Sequence, residues 1–167
     1  KPMIVEEKEE KTTLPEEQLA VYAPSKGELI PISEVADPVF SEKMMGDGFA
    51  VLPEANEVFA PISGTILNVF PTKHAIGIQT DNGLEVLLHM GINTVDLKGE
   101  PFTLYVEEGQ RIARGQLIAV VDLEMLEKAG KKSDMIVVFT NGAAVKELSI
   151  RSNALVQANE VVGQVKG

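Results

Sequence analysis

The apolar residues of this chain come in short runs, and nearly every run stops at a glycine or a proline. Residues 20–23, 28–32, 49–52, 58–60, 65–70, 75–80, 84–90, 103–106, 117–121 and 135–140 are such runs, and 154–157 and 161–165 close the chain. They have the length of strands and fall short of a helix. With 14 Gly and 9 Pro available for the breaks, this spacing predicts an all-β chain, an antiparallel β-sandwich or barrel. One segment reads as helix, with Asp122 as N-cap, Leu123 and Leu126 as an apolar edge and Gly130 as the stop. A single further helical turn is expected over 40–45.

Residues 1–18 are poor in apolar side chains and dense in Glu, which predicts an acidic linker or disordered extension ahead of a domain over 19–167. The chain opens on Lys rather than Met, so it is expected to be a fragment or processed chain, the C-terminal module of a longer protein. A chain of 167 residues can bury a real core. Aromatics make up only 5% and Trp is absent, so that core must be built from Val, Ile, Leu and Met. Zero Cys excludes disulfides, thiolate metal sites and thiol catalysis, and fits a reducing compartment. No stretch approaches the roughly 18 apolar residues of a spanning helix, so a cytoplasmic domain is expected. The net charge of −10 argues against nucleic acid and favours a basic protein partner.

Two histidines are all the chain has, and both lie in apolar, strand-like surroundings: Thr72-Lys73-His74-Ala75-Ile76 and Leu87-Leu88-His89-Met90-Gly91. Between them Asn82-Gly83 is a hairpin signal. With those two as the loop, Asp81 faces Leu84 and His89 lies opposite Ile76. His74 is then on the diagonal, within about 7–8 Å. A three-residue loop would shift the register by one and would be expected to part the rings.

Such a pair has several readings. Each ring can be a buried, hydrogen-bonded structural group. A catalytic zinc site needs a third protein ligand, and neither Ile78 nor Gly91, at the spacings of a related peptidase pattern, supplies one. A hydrolytic triad lacks a Gly-x-Ser-x-Gly elbow, and Ser63 reads as a corner residue. In the fourth reading one imidazole is itself the nucleophile. A neutral ring can attack a phosphoryl group, its neighbour can hydrogen-bond the transferring oxygens, and apolar surroundings keep the ring neutral and exclude water. No P-loop or kinase signature is present, so the donor must come from outside.

The stretches 56–66 and 106–117 resemble each other and the half-barrels of biotinyl and lipoyl carriers, without the carriers' lysine, which predicts a duplicated half-barrel architecture. A longer resemblance is specific. Asp37-Pro38-Val39-Phe40-Ser41-Glu42-Lys43-Met44-Met45-Gly46-Asp47-Gly48, Ala60-Pro61-Ile62-Ser63-Gly64, Thr72-Lys73-His74-Ala75, Leu88-His89-Met90-Gly91-Ile92-Asn93-Thr94-Val95 and Leu97-Lys98-Gly99 closely resemble the glucose-type enzyme IIA domain of the bacterial phosphoenolpyruvate:sugar phosphotransferase system. The similarity runs from about Tyr22 to the C-terminus.

That resemblance implies a phosphotransferase component with a phosphohistidine intermediate and no cofactor or metal. His89 would accept a phosphoryl group from the phosphocarrier protein HPr and pass it to a sugar-specific IIB domain. His74 would hydrogen-bond the phosphoryl group, with Thr72 orienting its ring. Asp37 would lie at the rim beside an apolar docking ring of Val39, Phe40, Met44, Met45 and Phe70. Asn93 departs from the Asp of many members and would remove one rim carboxylate. A covalent fusion to a membrane IIC/IIB permease is expected. The alternative is a regulatory IIA-like domain of a sugar transporter, phosphorylated on His89 by HPr to modulate transport.

Overall fold

The computed structural model describes residues 18–151 and 153–167. The acidic stretch thus lies outside the described residues, except that Gln18 already opens a strand. Fourteen strands follow in chain order: β1 Gln18–Tyr22, β2 Gly27–Pro31, β3 Asp47–Pro53, β4 Glu57–Phe59, β5 Gly64–Val69, β6 Ala75–Gln79, β7 Glu85–Met90, β8 Phe102–Leu104, β9 Arg111–Ile112, β10 Leu117–Val121, β11 Met135–Phe139, β12 Glu147–Ile150, β13 Ala154–Val156 and β14 Val161–Lys166. Two short helices interrupt them, α1 Pro38–Ser41 and α2 Leu123–Lys128. An eight-stranded sheet runs β13-β2-β3-β11-β7-β6-β5-β9, and two three-stranded sheets run β1-β14-β12 and β4-β10-β8. Every pairing is antiparallel, as the short punctuated runs predict. Among the described residues no helix is long and apolar enough to cross a membrane.

Strict two-residue alternation divides the large sheet into two apolar faces. Leu29, Phe49, Val51, Ile76, Ile78, Val86, Leu88, Met90, Met135, Val137 and Phe139 enter the main core. The residues between them, Ile30, Ala50, Ala75, Leu87, Ile136 and Val138, form a second cluster on the opposite face. Burial on both sides makes the central strands continuously apolar instead of alternating. Ile32, Val35 and Phe40, from the segment that follows β2, cover part of the second face.

The two similar stretches of sequence pair with each other: Gly64 opposes Ile112 and Phe59 opposes Leu117. The Ser63 side chain accepts a hydrogen bond from the Arg114 amide at 2.8 Å, the corner role its context suggests. The α2 helix has the expected punctuation. Asp122 Oδ1 accepts from the Met125 amide at 3.1 Å, Leu126 is buried, and Gly130 adopts φ 73°. The earlier turn comes two residues sooner than expected, because Asp37 caps it through the Val39 amide at 3.0 Å and Pro38 occupies the first helical position.

Two strands escape the sequence reading. β9 has two residues, and β12 alternates half-buried with exposed positions, so neither shows an apolar run. The β6–β7 register also differs from the expectation. Gln79 pairs with Glu85 and Ala75 with His89. The Thr80 amide donates to the Leu84 carbonyl at 2.9 Å, and Leu84's amide returns to the Thr80 hydroxyl at 2.9 Å. Three residues, Asp81, Asn82 and Gly83, therefore make the turn, because the Thr80 hydroxyl takes the Leu84 amide and Thr80, rather than Asp81, becomes the residue opposite Leu84.

The close approach of β3 to β11 supplies a stability test. A Cβ added to Gly48 would collide with the Val137 backbone carbonyl. Gly48→Ala should therefore push β3 away from β11 and lower stability by about 1–3 kcal/mol, as overpacking does. Thermal unfolding followed by circular dichroism should show a melting point several degrees lower; an unchanged melting point would mean that β3 yields freely.

Candidate functional site

His89 is the penultimate residue of β7 and lies opposite Ala75 on β6 and Ile136 on β11, so alternation puts its ring on the second apolar face. His74 precedes β6 by one residue. Its carbonyl still accepts the Met90 amide at 2.7 Å, yet its ring does not follow the ladder into the main core. The chain reaches it through a tight turn in which the Lys73 amide donates to the Phe70 carbonyl at 2.7 Å and Lys73 itself takes φ 63°. This entry turns the His74 ring to the His89 side. The two ring centroids are 5.0 Å apart at an interplanar angle of 76°. The rings meet despite the shifted register, and the expectation that a three-residue loop would part them is corrected: His74 stands outside the strand, so pleat alternation does not govern it.

Each ring is held on its Nδ1 side. His89 Nδ1 is 2.7 Å from the Gly91 carbonyl oxygen. A carbonyl only accepts, so Nδ1 carries the proton and Nε2 is left with its lone pair. His74 Nδ1 is 2.7 Å from Thr72 Oγ1, and a hydroxyl can fill either role in that bond. Two phenyl rings complete the enclosure. Phe40 packs 5.1 Å from His89, and Phe70 meets His74 edge-on at 5.4 Å.

Burial governs the electrostatics. His89's pKa falls from 6.5 to about 4, chiefly because its charged form would lose water. The Gly91 hydrogen bond opposes that shift, His74 adds to it, and the Asp37 carboxylate opposes it. His74, only 7% exposed, is also lowered by burial. Its visible surface is the smaller of the two, but His89 suffers the larger desolvation because it sits between β6, β11 and Phe40. Both rings are therefore neutral at neutral pH. Among the described residues no group of three or more His, Cys, Asp or Glu side chains is gathered to hold a metal ion.

Around the rings Asp37 is half-buried as the α1 cap. Val39 is 41% exposed, Met44 68% and Met45 36%, and Phe70 is half-buried. Val39, Met44 and Met45 flank Phe40 in the chain as exposed apolar side chains, and Phe70 packs edge-on against His74. Phe40 does not share that exposure. At 4% exposed it belongs to the second core cluster, because α1 turns its side chain inward onto His89. Asn93 is exposed with φ 60°, a left-handed position that Asn tolerates well. Sequence reasoning passed over two contributors: the Gly91 carbonyl, a backbone atom, and Thr94, which is fully buried beneath the turn.

The family model for the phosphoenolpyruvate-dependent sugar phosphotransferase system, EIIA 1, matches residues 19–145. The chain is 46% identical over 146 residues to the PTS system glucose-specific EIICBA component of Streptococcus pneumoniae, covering 87% of this chain and 20% of that protein. The chain thus spans about a fifth of the length of that curated relative. The solved structure of the glucose permease IIA from Mycoplasma capricolum superposes with a TM-score of 0.81 at 42% identity, covering 88% of this chain and 95% of that one. The family model over residues 19–145, the relative and the solved fold together make this chain a member of the EIIA 1 family of the phosphoenolpyruvate-dependent sugar phosphotransferase system.

Proposed function

We propose that His89 is the phosphoryl acceptor, loaded by the phosphohistidine of HPr and unloaded onto a IIB domain. The observation that carries this reading is the 2.7 Å bond from His89 Nδ1 to the Gly91 carbonyl, which leaves Nε2 as the bare nitrogen of a half-buried ring. The nitrogen–phosphorus bond of the donor breaks as the bond to Nε2 forms, and the electron pair returns to the donor's ring. Onward transfer is the same displacement in reverse, toward the IIB side chain. A ring already neutral in the resting state needs no base to free its lone pair. His74 acts on the phosphoryl oxygens. With the Thr72 hydroxyl donating to Nδ1, His74 presents Nε2–H to the transferred group and stabilises charge where water is excluded. Val39, Met44, Met45 and Phe70 provide the apolar docking rim, with Asp37 and the exposed Asn93 beside it. Phe40 serves from beneath by seating the His89 ring. A IIB partner is supported by the relative, which is named as a fused EIICBA component.

His89→Ala should abolish labelling by phosphoenolpyruvate, enzyme I and HPr. His74→Gln should still accept the group but release it to IIB slower by on the order of 10²–10³, the usual loss on removing one such donor. Single-turnover transfer checks both, and unimpaired release by the His74 variant would contradict the role given to that ring.

The ring's pKa sets a second outcome. His89 should titrate by NMR with a midpoint near 4, so acceptance of a phosphoryl group should hold level from neutral pH down to about 5 and fail below it. The sign for stability follows from the same depression. Between 6.5 and 4 the unfolded chain binds a proton that the native ring refuses, so the stabilisation is full above 6.5 and is lost as pH falls through that window. A ring midpoint near the ordinary histidine value would contradict the burial argument.

Docking is checked at the rim. Met44→Ser and Val39→Ser should weaken binding to HPr and to IIB together, with unchanged circular dichroism, and the acidic chain should bind HPr less tightly as salt rises. Simultaneous binding of both partners in a competition titration would remove this rim as their shared surface.

A further inference from the structure

The tautomer of His89 depends on where one backbone carbonyl points, and the turn that aims it is built from two consecutive peptide units. In the first, between Met90 and Gly91, the Gly91 amide donates to the Asp134 carbonyl at 2.8 Å. Its Met90 carbonyl accepts from the Thr94 hydroxyl at 2.7 Å. In the second, between Gly91 and Ile92, the Ile92 amide donates to the Lys132 carbonyl at 3.1 Å and the Gly91 carbonyl faces His89 Nδ1. Three of these four groups are held by backbone or by His89 itself. Thr94 supplies the one side-chain clamp.

Thr94 fills this place closely. It is 0% exposed, one of the few fully buried polar residues among the described residues. Its Cγ2 methyl lies 2.5 Å from where a Cβ on Gly91 would stand, so it occupies the space that a side chain there would need. Gly91 at φ 87° and Asn93 at φ 60° put two left-handed residues inside the same turn. A backbone so bent is kept in place by what closes it, and the Thr94 hydroxyl closes it across four residues.

We infer that Thr94 is a positioning residue for phosphoryl transfer: its hydroxyl fixes the Met90–Gly91 peptide, and through it the Gly91 carbonyl that keeps the proton on His89 Nδ1 and the lone pair on Nε2. The inference rests on the reading of His89 as acceptor. When the hydroxyl is lost, the Met90 carbonyl is left buried without its partner and the turn is free to rotate toward another donor. The carbonyl then leaves Nδ1, the proton is no longer confined to that nitrogen, and the fraction of rings with a bare Nε2 falls. In serine proteases a wrong histidine tautomer costs on the order of 10⁴ in rate, which shows the scale available.

The test compares Thr94→Val, which keeps the shape and removes the hydroxyl, with Thr94→Ser, which keeps the hydroxyl. Nitrogen-15 NMR of the unphosphorylated domain at neutral pH reads the His89 tautomer, and single-turnover transfer from phospho-HPr reads acceptance. Thr94→Val should keep its circular dichroism spectrum and HPr affinity, show an Nε2–H population absent from the parent, and accept at least about tenfold more slowly, as loss of an outer-layer hydrogen bond typically does. Thr94→Ser should restore the parent tautomer and most of the rate. A Thr94→Val domain with the parent tautomer overturns the inference, as does a rate loss without any tautomer change. Should Thr94→Val fail to fold, Thr94→Ala takes its place; failure of both to fold makes Thr94 a fold residue and overturns it too. A parent domain that takes no label defeats the acceptor reading instead, while the tautomer comparison still decides the part played by Thr94.

Discussion

Desolvation of a single imidazole governs this site, and it follows from a sheet that is covered on both faces. A one-sided sheet would leave His89 on a wet surface, where its ring would titrate near the ordinary histidine value and lie partly protonated. Here β7 runs between β6 and β11, with the main core on one side and Ile30, Ala50, Ala75, Leu87, Ile136 and Val138 on the other. The α1 turn then lays Phe40 against the ring. The ring's charged form becomes costly, its neutral form persists, and the Gly91 carbonyl decides which nitrogen keeps its lone pair. The double apolar alternation of the central strands thus serves stability and chemistry together.

The same burial limits what the neighbours can do. The adjacent His74 also resists protonation, so the pair does not present two positive charges to an incoming phosphoryl group. On the proposed reading it would present the lone pair of His89 Nε2 and, with the Thr72 hydroxyl donating, an N–H from His74. On that reading a phosphoryl group seated between them would gain a covalent bond on one side and a hydrogen bond on the other. Asp37 stands near enough to favour the charged form of His89, and it also caps α1. Its place therefore couples the rim's helix to the ring's electrostatics. Replacing Asp37 would disturb both, whereas Met44 and Val39 can be changed with less consequence beneath.

Much of this was legible in the sequence where a local rule acts alone. Asp122 and Gly130 bound a helix through capping and a left-handed stop, and they do so here. Short apolar runs located twelve strands. β9 and β12 were hidden because a strand of two residues, or one at a half-exposed edge, leaves no apolar signature. The hairpin register was misread because Thr80's hydroxyl, not the Asn-Gly pair, closes the turn. Phe40 looked like a docking residue because sequence says that α1 is apolar without saying which way it faces. Gly91 and Thr94 stood in the matched motif, yet their part is a carbonyl direction and a buried hydroxyl, and only the folded turn shows them.

Asn93 illustrates how backbone and charge can be separated at one position. At φ 60° the turn after His89 requires a residue that tolerates the left-handed region, and Asn and Asp are the usual non-glycine choices. Asn therefore keeps the turn's geometry, and with it the Gly91 carbonyl, while bringing no charge. Asp37 is then the carboxylate that His89 feels. On the proposed reading the phosphoryl group arrives carrying negative charge, so a second carboxylate at the rim would repel the oxygens assigned to His74, while attracting a basic partner. On that reading this chain would give up some of that attraction and hold its partners more through Val39, Met44, Met45 and Phe70. Salt screens charge steering far more than apolar contact, so Asn93 would shift docking from steering toward burial while keeping the left-handed turn after His89.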